Sequence, residues 1–407
     1  MSAPLNRYRY GPWAPIVLDA GTPGAVVDTG DGVLVRHERI GGDRVRIAPD
    51  RVFDLVTPAF RDLEVKVTPG TALRDRLESE RTRWLDAAAR GRNVLYGVYV
   101  YFPDRGDLVR YPPADLWDAV QSISSATLYR DYGLAGSFGE MREKIRREVP
   151  AVAGCSVGRR IAEGLMCYRF RHMKLADKKP GHPSGNNRAP HSYEEMTRHD
   201  SKASSLARRF YAEDGLAELS VFPEGVHPGT IDAFVRGDPT IGEPAATIVF
   251  DETDDLVSKL DLRVACRTAR VAYAMVTDLG HLSLVDFHDW HERPELPLIH
   301  GAEDAYSVEL LEALREDPDN MFLRRRGTMA MVGGAEMLRG ELKKIVQGEN
   351  QRGGDLPPLT DPPQDGSTCM FGGVVAARLV LAKVANVAES GRRLIDPLHG
   401  EVLREAW

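Results

Sequence analysis

The chain has 407 residues, more than one hydrophobic core usually spans, so two domains or one large α/β domain with an appendage is expected. It is 43% hydrophobic and 28% charged, with 38 Gly and 26 Pro, which fits a globular protein and excludes a fibrous or disordered chain. A formal charge of -7 argues against a nucleic-acid surface over the whole molecule, although Arg159, Arg160, Arg169, Arg171, Lys174, Lys178 and Lys179 form a local basic strip.

No run of about 18 apolar residues occurs, and the opening MSAPLNRYRYGPWAP lacks an apolar signal segment. A cytoplasmic chain with neither nucleic acid nor membrane as a partner is therefore expected. Cys155, Cys167, Cys266 and Cys369 form no CxxC pair, which predicts reduced, mostly buried thiols rather than a disulfide framework or a four-thiolate zinc site.

In chain order, residues 1 to about 70 alternate short apolar runs with Gly and Asp turns, a pattern of strands and hairpins. LRDRLESERTRWLDAAARGR then has the apolar spacing of an amphipathic helix over 72–92. NVLYGVYVYFP is β-branched and aromatic, a strand. This predicts a smaller α+β N-terminal domain, 1–125, before a domain of residues 126–407. Beyond Val149 strands and helices alternate: PAVAG, GRRIAEGLMCY, HMKLAD, KASSLARRFYAE, ELSVF, ATIVFDETDD, VSKLDLRVACRTA and VAYAMVTD. Such alternation specifies a mostly parallel α/β sheet with crossover helices. Two Pro/Gly/polar stretches interrupt it, at 178–192 and 349–366; the second is too long for a plain connector and reads as a lid, a strap or a partner-binding segment.

Candidate chemistry begins at VAGCSVGRRIAEGL, where a strand runs through Gly154, Cys155, Ser156, Val157 and Gly158 into a helix. Small residues let backbone approach phosphates, and a helix N-terminus offers free N–H groups and a positive dipole end. The loop is one residue shorter than GxGxxG, with Ser156 for the middle glycine. Nineteen residues after Gly158, Asp177 ends HMKLAD, where a Rossmann-type fold keeps the carboxylate that accepts ribose hydroxyls.

The run AVAGCSVGRRIAEGL…MKLADKKPGHPSGNNR resembles the ThiF/ubiquitin-activating superfamily, including its MoeB-type adenylating enzymes, whose ribose Asp leads into a segment ending SNLNR. SGNNR, 184–188, stands there; DSKASSLARRF resembles the family's Lys-bearing helix, and VFDETDDLVSKLDLRVAC its strand ending in a Thr-Asp pair. YGVYVYFP, MVTDLGHLSLVDF and GSTCMFGGVVAARLV resemble a bacterial branch with an added N-terminal region.

The resemblance implies a Rossmann-like ThiF-type sheet and an ATP-dependent adenylyltransferase. Its substrate would be a carboxylate, either the C-terminus of a small carrier protein or a small-molecule acid. It implies that Gly154, Ser156 and Gly158 lie along the phosphates, with Asp177, Asn187 and Thr253 also binding nucleotide. Arg188 and Lys202 would neutralise phosphate charge, Asp254 would hold Mg2+, and the protein would form a homodimer in which Arg130 or Arg146 reaches the partner's ATP. Two positions depart from the pattern: Lys179 replaces a second Asp, and Gly185 the first Asn of the SNLNR-like segment. These departures keep open a second reading, a nucleotide-binding scaffold or regulatory subunit. A dinucleotide oxidoreductase ranks last, since it leaves the Lys and Thr-Asp positions without a role.

Asp286, His288, Asp289, His291 and His300 invite a metal reading, but alternation in a strand hairpin separates the first two histidines. They are expected beside the acceptor pocket instead, with Thr277-Asp278 ending a strand over the crevice.

Overall fold

The computed structural model describes residues 6–9, 11–18, 98–111, 138–170, 172–183, 190–279, 282–333, 366–396 and 401–406, with the strands between 26 and 62 and positions 75, 79, 82 and 117. Ser184 to Arg188, which include Gly185, Asn187 and Arg188, lie outside the described residues, as do Arg130 and nearly all of the 349–366 stretch. Of the predicted helix over 72–92, Asp75, Ser79 and Thr82 are described; all three are helical and exposed, the spacing of one solvent face.

The chain divides into two units, residues 1–142 with 207–218, and 143–206 with 219–407. The smaller unit contains β1 (Ile16–Leu18), β2 (Val26–Asp28), β3 (Leu34–Arg36), β4 (Glu38–Arg39), β5 (Arg44–Ala48), β6 (Arg51–Asp54), β7 (Phe60–Asp62), β8 (Val98–Phe102) and β9 (Asp107–Tyr111). They build a four-stranded sheet in the order β1-β8-β9-β7, a β2-β3 pair and a β4-β5-β6 sheet. This unit is not one continuous stretch of chain. Residues 207–218 complete it: the Gly215 N–H donates to the Tyr111 hydroxyl at 3.3 Å, and Trp117 Nε1 donates to Asp214 at 3.1 Å.

The larger unit comprises α1 (Phe138–Arg147, from Glu143), β10 (Pro150–Ala153), α2 (Gly158–Cys167), β11 (His172–Ala176), α3 (Tyr193–Thr197), the start of α4 (Lys202–Glu213), β12 (Glu218–Phe222), α5 (Ile231–Val235) and β13 (Ile248–Asp251). It continues with α6 (Leu256–Ala269), β14 (Ala272–Leu279), β15 (Leu282–His288), α7 (Asp304–Glu316), α8 (Met321–Val332), α9 (Gly366–Val384), β16 (Gly391–Asp396) and β17 (Glu401–Ala406). Every expected strand and helix from PAVAG to VAYAMVTD is present.

Its sheet has eight strands in the order β12-β11-β10-β13-β14-β15-β16-β17. β10 pairs parallel with β11 and β13, and β13 with β14, whereas β14 to β17 are joined antiparallel. β10, β11 and β13 are buried along their whole length, as strands covered on both faces must be. Right-handed crossovers place α2 and α6 on opposite faces. α9 lies along α2 on one, α7 against α6 on the other. The order reverses direction between β10 and β13, and the crevice at that reversal is where such sheets take ligands.

α9 is long and apolar enough to cross a membrane, yet 56% of its most apolar window is buried. A Cβ on Gly373 would lie 2.6 Å from the Arg160 backbone, so the two helices meet nearly backbone to backbone. This contact accounts for the run of small residues in GSTCMFGG.

Beneath the crevice runs a buried polar network. Tyr273 donates to Asp251 Oδ2 at 2.8 Å, and the Arg263 guanidinium lies 4.6 Å from the Tyr273 ring centre. Arg263 then reaches Asp286 Oδ2 and His288 Nε2, both at 3.1 Å. Burial alone would raise the Asp286 carboxyl, but His288, Arg263 and Arg392 around it hold it far below the usual carboxylate range. Burial pushes the His288 imidazole below its ordinary value. The unfolded chain therefore binds a proton that the folded chain refuses, so this contribution to stability is present above about pH 6.5 and is lost as pH falls below it. The thermal midpoint is expected to drop between about pH 7 and pH 5. His288→Gln should start lower at neutral pH and lose less over that interval; parallel curves for the two proteins would contradict the assignment.

Candidate nucleotide site

Gly154 leaves β10 with φ +89°, a conformation that L side chains rarely adopt, and a Cβ there would stand 2.4 Å from the Glu252 carbonyl oxygen. The loop after β10 is thus pressed against the chain leaving β13. At the far end of the loop a Cβ on Gly158 would lie 2.7 Å from Val152 Cγ1, so α2 sits directly on its own strand. The N–H groups of Val157, the N-cap of α2, and Gly158, its first residue, precede any helical acceptor and lie at the positive end of its dipole. Gly154, Ser156 and Gly158 lie between the C-terminal end of β10 and the start of α2.

Asp177, immediately after β11, binds this loop to its surroundings. Its Oδ2 accepts the Cys155 N–H at 2.8 Å and its Oδ1 the Lys179 N–H at 2.8 Å. Lys202, first residue of α4, brings its Nζ to 3.6 Å from Asp177 Oδ2, and its own N–H donates to the Lys179 carbonyl at 2.9 Å. Asp177 is 9% exposed, a carboxylate at the rim of the interior with a cation beside it.

On the other flank, the Asp251 carboxylate, completely buried, accepts from the Thr253 N–H at 2.9 Å and the Thr253 hydroxyl at 2.7 Å. The Thr253 hydroxyl is thus committed to the strand end, and the expected Thr-Asp pair divides its labour. Asp255, not Asp254, caps α6 by accepting the Ser258 N–H at 2.8 Å. Asp254 stays exposed, with Lys179 Nζ 3.5 Å from its Oδ2. Lys179 and Asp254 so link the ends of β11 and β13 across the mouth of the crevice.

Several residues here were not singled out in advance. Glu252, between the two Asp-bearing positions, accepts the Val276 N–H at 2.8 Å, and burial pushes its carboxyl well above the usual range. Arg159 and Lys174 belong to the predicted basic strip, but both are buried, which breaks the strip up. Lys174 pairs with Glu243 at 2.9 Å inside the sheet. Arg159 reaches Glu163 at 3.1 Å, His191 at 3.3 Å and Glu195 at 3.4 Å. The signal for Arg159 was its position: a cation in the first turn of a helix opposes the dipole unless anions surround it.

Cys155, Cys266 and Cys369 are buried and Cys167 is exposed. Burial raises the Cys155 thiol well above its ordinary value, so it remains protonated within the loop. Arg146 pairs with Glu143 at 3.4 Å. The histidine cluster is corrected. Antiparallel register pairs His288 with Tyr273, near the start of β14, roughly 20 Å of strand away from Leu279 at its crevice end. His288 is buried and His291 exposed, so the two do not share a ligand sphere, and His288 lies at the end of β14 away from the crevice. Thr277-Asp278 does lie near that end of β14, and Asp278 accepts the Cys369 thiol proton.

No family model matches the chain, and no curated protein matches it. Among solved structures it is similar to PaaA, at 11% identity and a TM-score of 0.49 over 84% of this chain and 98% of that one. It is also similar to E. coli MccB with ATP, at 12% identity and a TM-score of 0.45 over 70% and 71%. The Microcin C7 biosynthetic enzyme MccB in complex with N-formylated MccA aligns at 11% identity and a TM-score of 0.45 over 91% and 94%.

Gly154→Ala adds a methyl group where both φ and the Glu252 carbonyl forbid one. Urea unfolding should show a loss of about 1–3 kcal/mol, the usual cost of overpacking a tight site. An unchanged midpoint would mean that the loop is not pressed against β13.

Proposed function

We propose that the chain is an ATP-dependent adenylyltransferase that activates a carboxylate. The observation that carries this reading is the Asp177 carboxylate, gathering the Cys155 and Lys179 N–H groups with Lys202 at 3.6 Å, beside a glycine-bounded helix N-terminus at the sheet's reversal point. Two oxygens with about four acceptor positions leave Asp177 capacity for both ribose hydroxyls after it has accepted two N–H donors. An ATP so oriented directs its phosphates along the Gly154–Gly158 loop toward the α2 N-terminus.

The reaction is attack of a substrate carboxylate oxygen on the α-phosphorus, with cleavage of the bond between the α-phosphorus and its bridging oxygen. The products are an acyl adenylate and pyrophosphate. Negative charge builds on phosphate oxygens as pyrophosphate leaves, and Lys202, with Arg188 as the resemblance implies, would stabilise it. Mg2+, held by Asp254, would supply further charge neutralisation. The nucleotide role of Asn187, a homodimer and a carrier-protein or small-acid substrate belong to the same proposal. Cys155, the cysteine of the loop, is buried with its thiol pushed well above the ordinary value, which disfavours it as a thioester nucleophile.

ATP–pyrophosphate exchange, screened over small acids and carrier-protein C-termini, tests this proposal. Lys202→Ala should cut exchange by about 10²–10³-fold, the cost of removing one preorganised charge-stabilising donor. Wild type and variant giving the same background with every acid would sink the proposal.

A second reading, a nucleotide-binding scaffold, draws on one observation: the carboxylate that would hold Mg2+ already faces the Lys179 ammonium at 3.5 Å. On that reading ATP binds in calorimetry without turnover, and Lys179→Asp restores exchange.

A further inference from the structure

We propose that Arg159 is a phosphate ligand of the bound nucleotide, a role that rests on the ATP reading of the site given above. Arg159 directly follows Gly158 in the first turn of α2, a helix of ten residues with no acidic residue in that turn. The dipole end and the guanidinium are both positive, and a cation at a helix N-terminus is unfavourable without an anion shared between them.

The side chain is 2% exposed, and its donors are unevenly used. Nε donates to Glu163, and Nη1 to Glu195 with the His191 ring at 3.3 Å. Nη2, also buried, has no hydrogen-bond partner among the described residues. A buried donor on a permanently charged group is costly to leave unpaired, and such exceptions call for an explanation in the ligand or the chemistry.

The surroundings supply it. Arg159 stands one residue beyond Gly158, at the end of the loop whose Cys155 N–H donates to Asp177 Oδ2 at 2.8 Å, with Lys202 Nζ 3.6 Å from the same oxygen. His191, 3.3 Å from Arg159 Nη1, packs beside Gly181 on the arm after β11. Burial and the Arg159 charge push its imidazole below the ordinary value, so at neutral pH His191 is an uncharged partner that orients the fork without competing for an anion. Glu163 and Glu195 fix two edges of the planar guanidinium, and the remaining Nη2 donor is suited to a phosphate oxygen.

Calorimetry with ATP and with adenosine separates this role from mere bracing of α2 to α3. Arg159→Lys keeps a cation for Glu163 and Glu195 but removes the fork. Arg159→Gln removes the charge as well, and thermal unfolding without ligand reports whether each variant folds. ATP should bind Arg159→Lys about tenfold or more weakly, the loss expected for one charge-assisted hydrogen bond, with adenosine affinity within about twofold of wild type. Wild-type affinity for ATP in a folded Arg159→Lys, or equal losses for ATP and adenosine, would overturn the role of Arg159 and leave the nucleotide site standing. Failure of wild type to bind ATP would overturn both.

Discussion

The Asp177 carboxylate joins three segments that the sequence separates: the loop after β10 through the Cys155 N–H, the arm after β11 through the Lys179 N–H, and α4 through Lys202. Charge-assisted hydrogen bonds of this kind are roughly twice as strong as neutral ones, and here they act at the edge of the interior. They tie the glycine loop to the end of β11 and bring the Lys202 ammonium beside it. The crevice exists because the strand order reverses between β10 and β13, but its polarity comes from what is tied to this one group.

The opposite flank is supported from below. Asp251 links the crevice to the buried network of Tyr273, Arg263, Asp286 and His288, so the strand end bearing Thr253 and Asp254 rests on a buried polar core. Such networks are costly when incomplete and rigid when complete. Glu252 adds a cross-tie to β14 at the Val276 N–H, and Gly154 can approach its carbonyl only because it has no side chain.

Much of this was legible in the residues. The alternation from PAVAG to VAYAMVTD specified the parallel sheet, and the spacing from Gly158 to Asp177 located a carboxylate at the end of the second strand, because both signals are local and periodic. Long-range pairing was not legible. Nothing local reveals that residues 207–218 complete the smaller unit, or that β15 folds back antiparallel and takes His288 to the far end of β14. Arg159 read as one charge in a basic strip; its burial depends on Glu163, only four residues away, and on His191 and Glu195, more than thirty away.

The most direct measurement of the central claim is a crystal structure of the protein with a non-hydrolysable ATP analogue. The ribose hydroxyls should lie roughly 2.6–3.2 Å from the Asp177 carboxylate, with phosphates along the Gly154–Gly158 loop and within reach of Lys202. An analogue bound elsewhere, or an Asp177 carboxylate that keeps only its N–H partners while the nucleotide occupies another crevice, would contradict it.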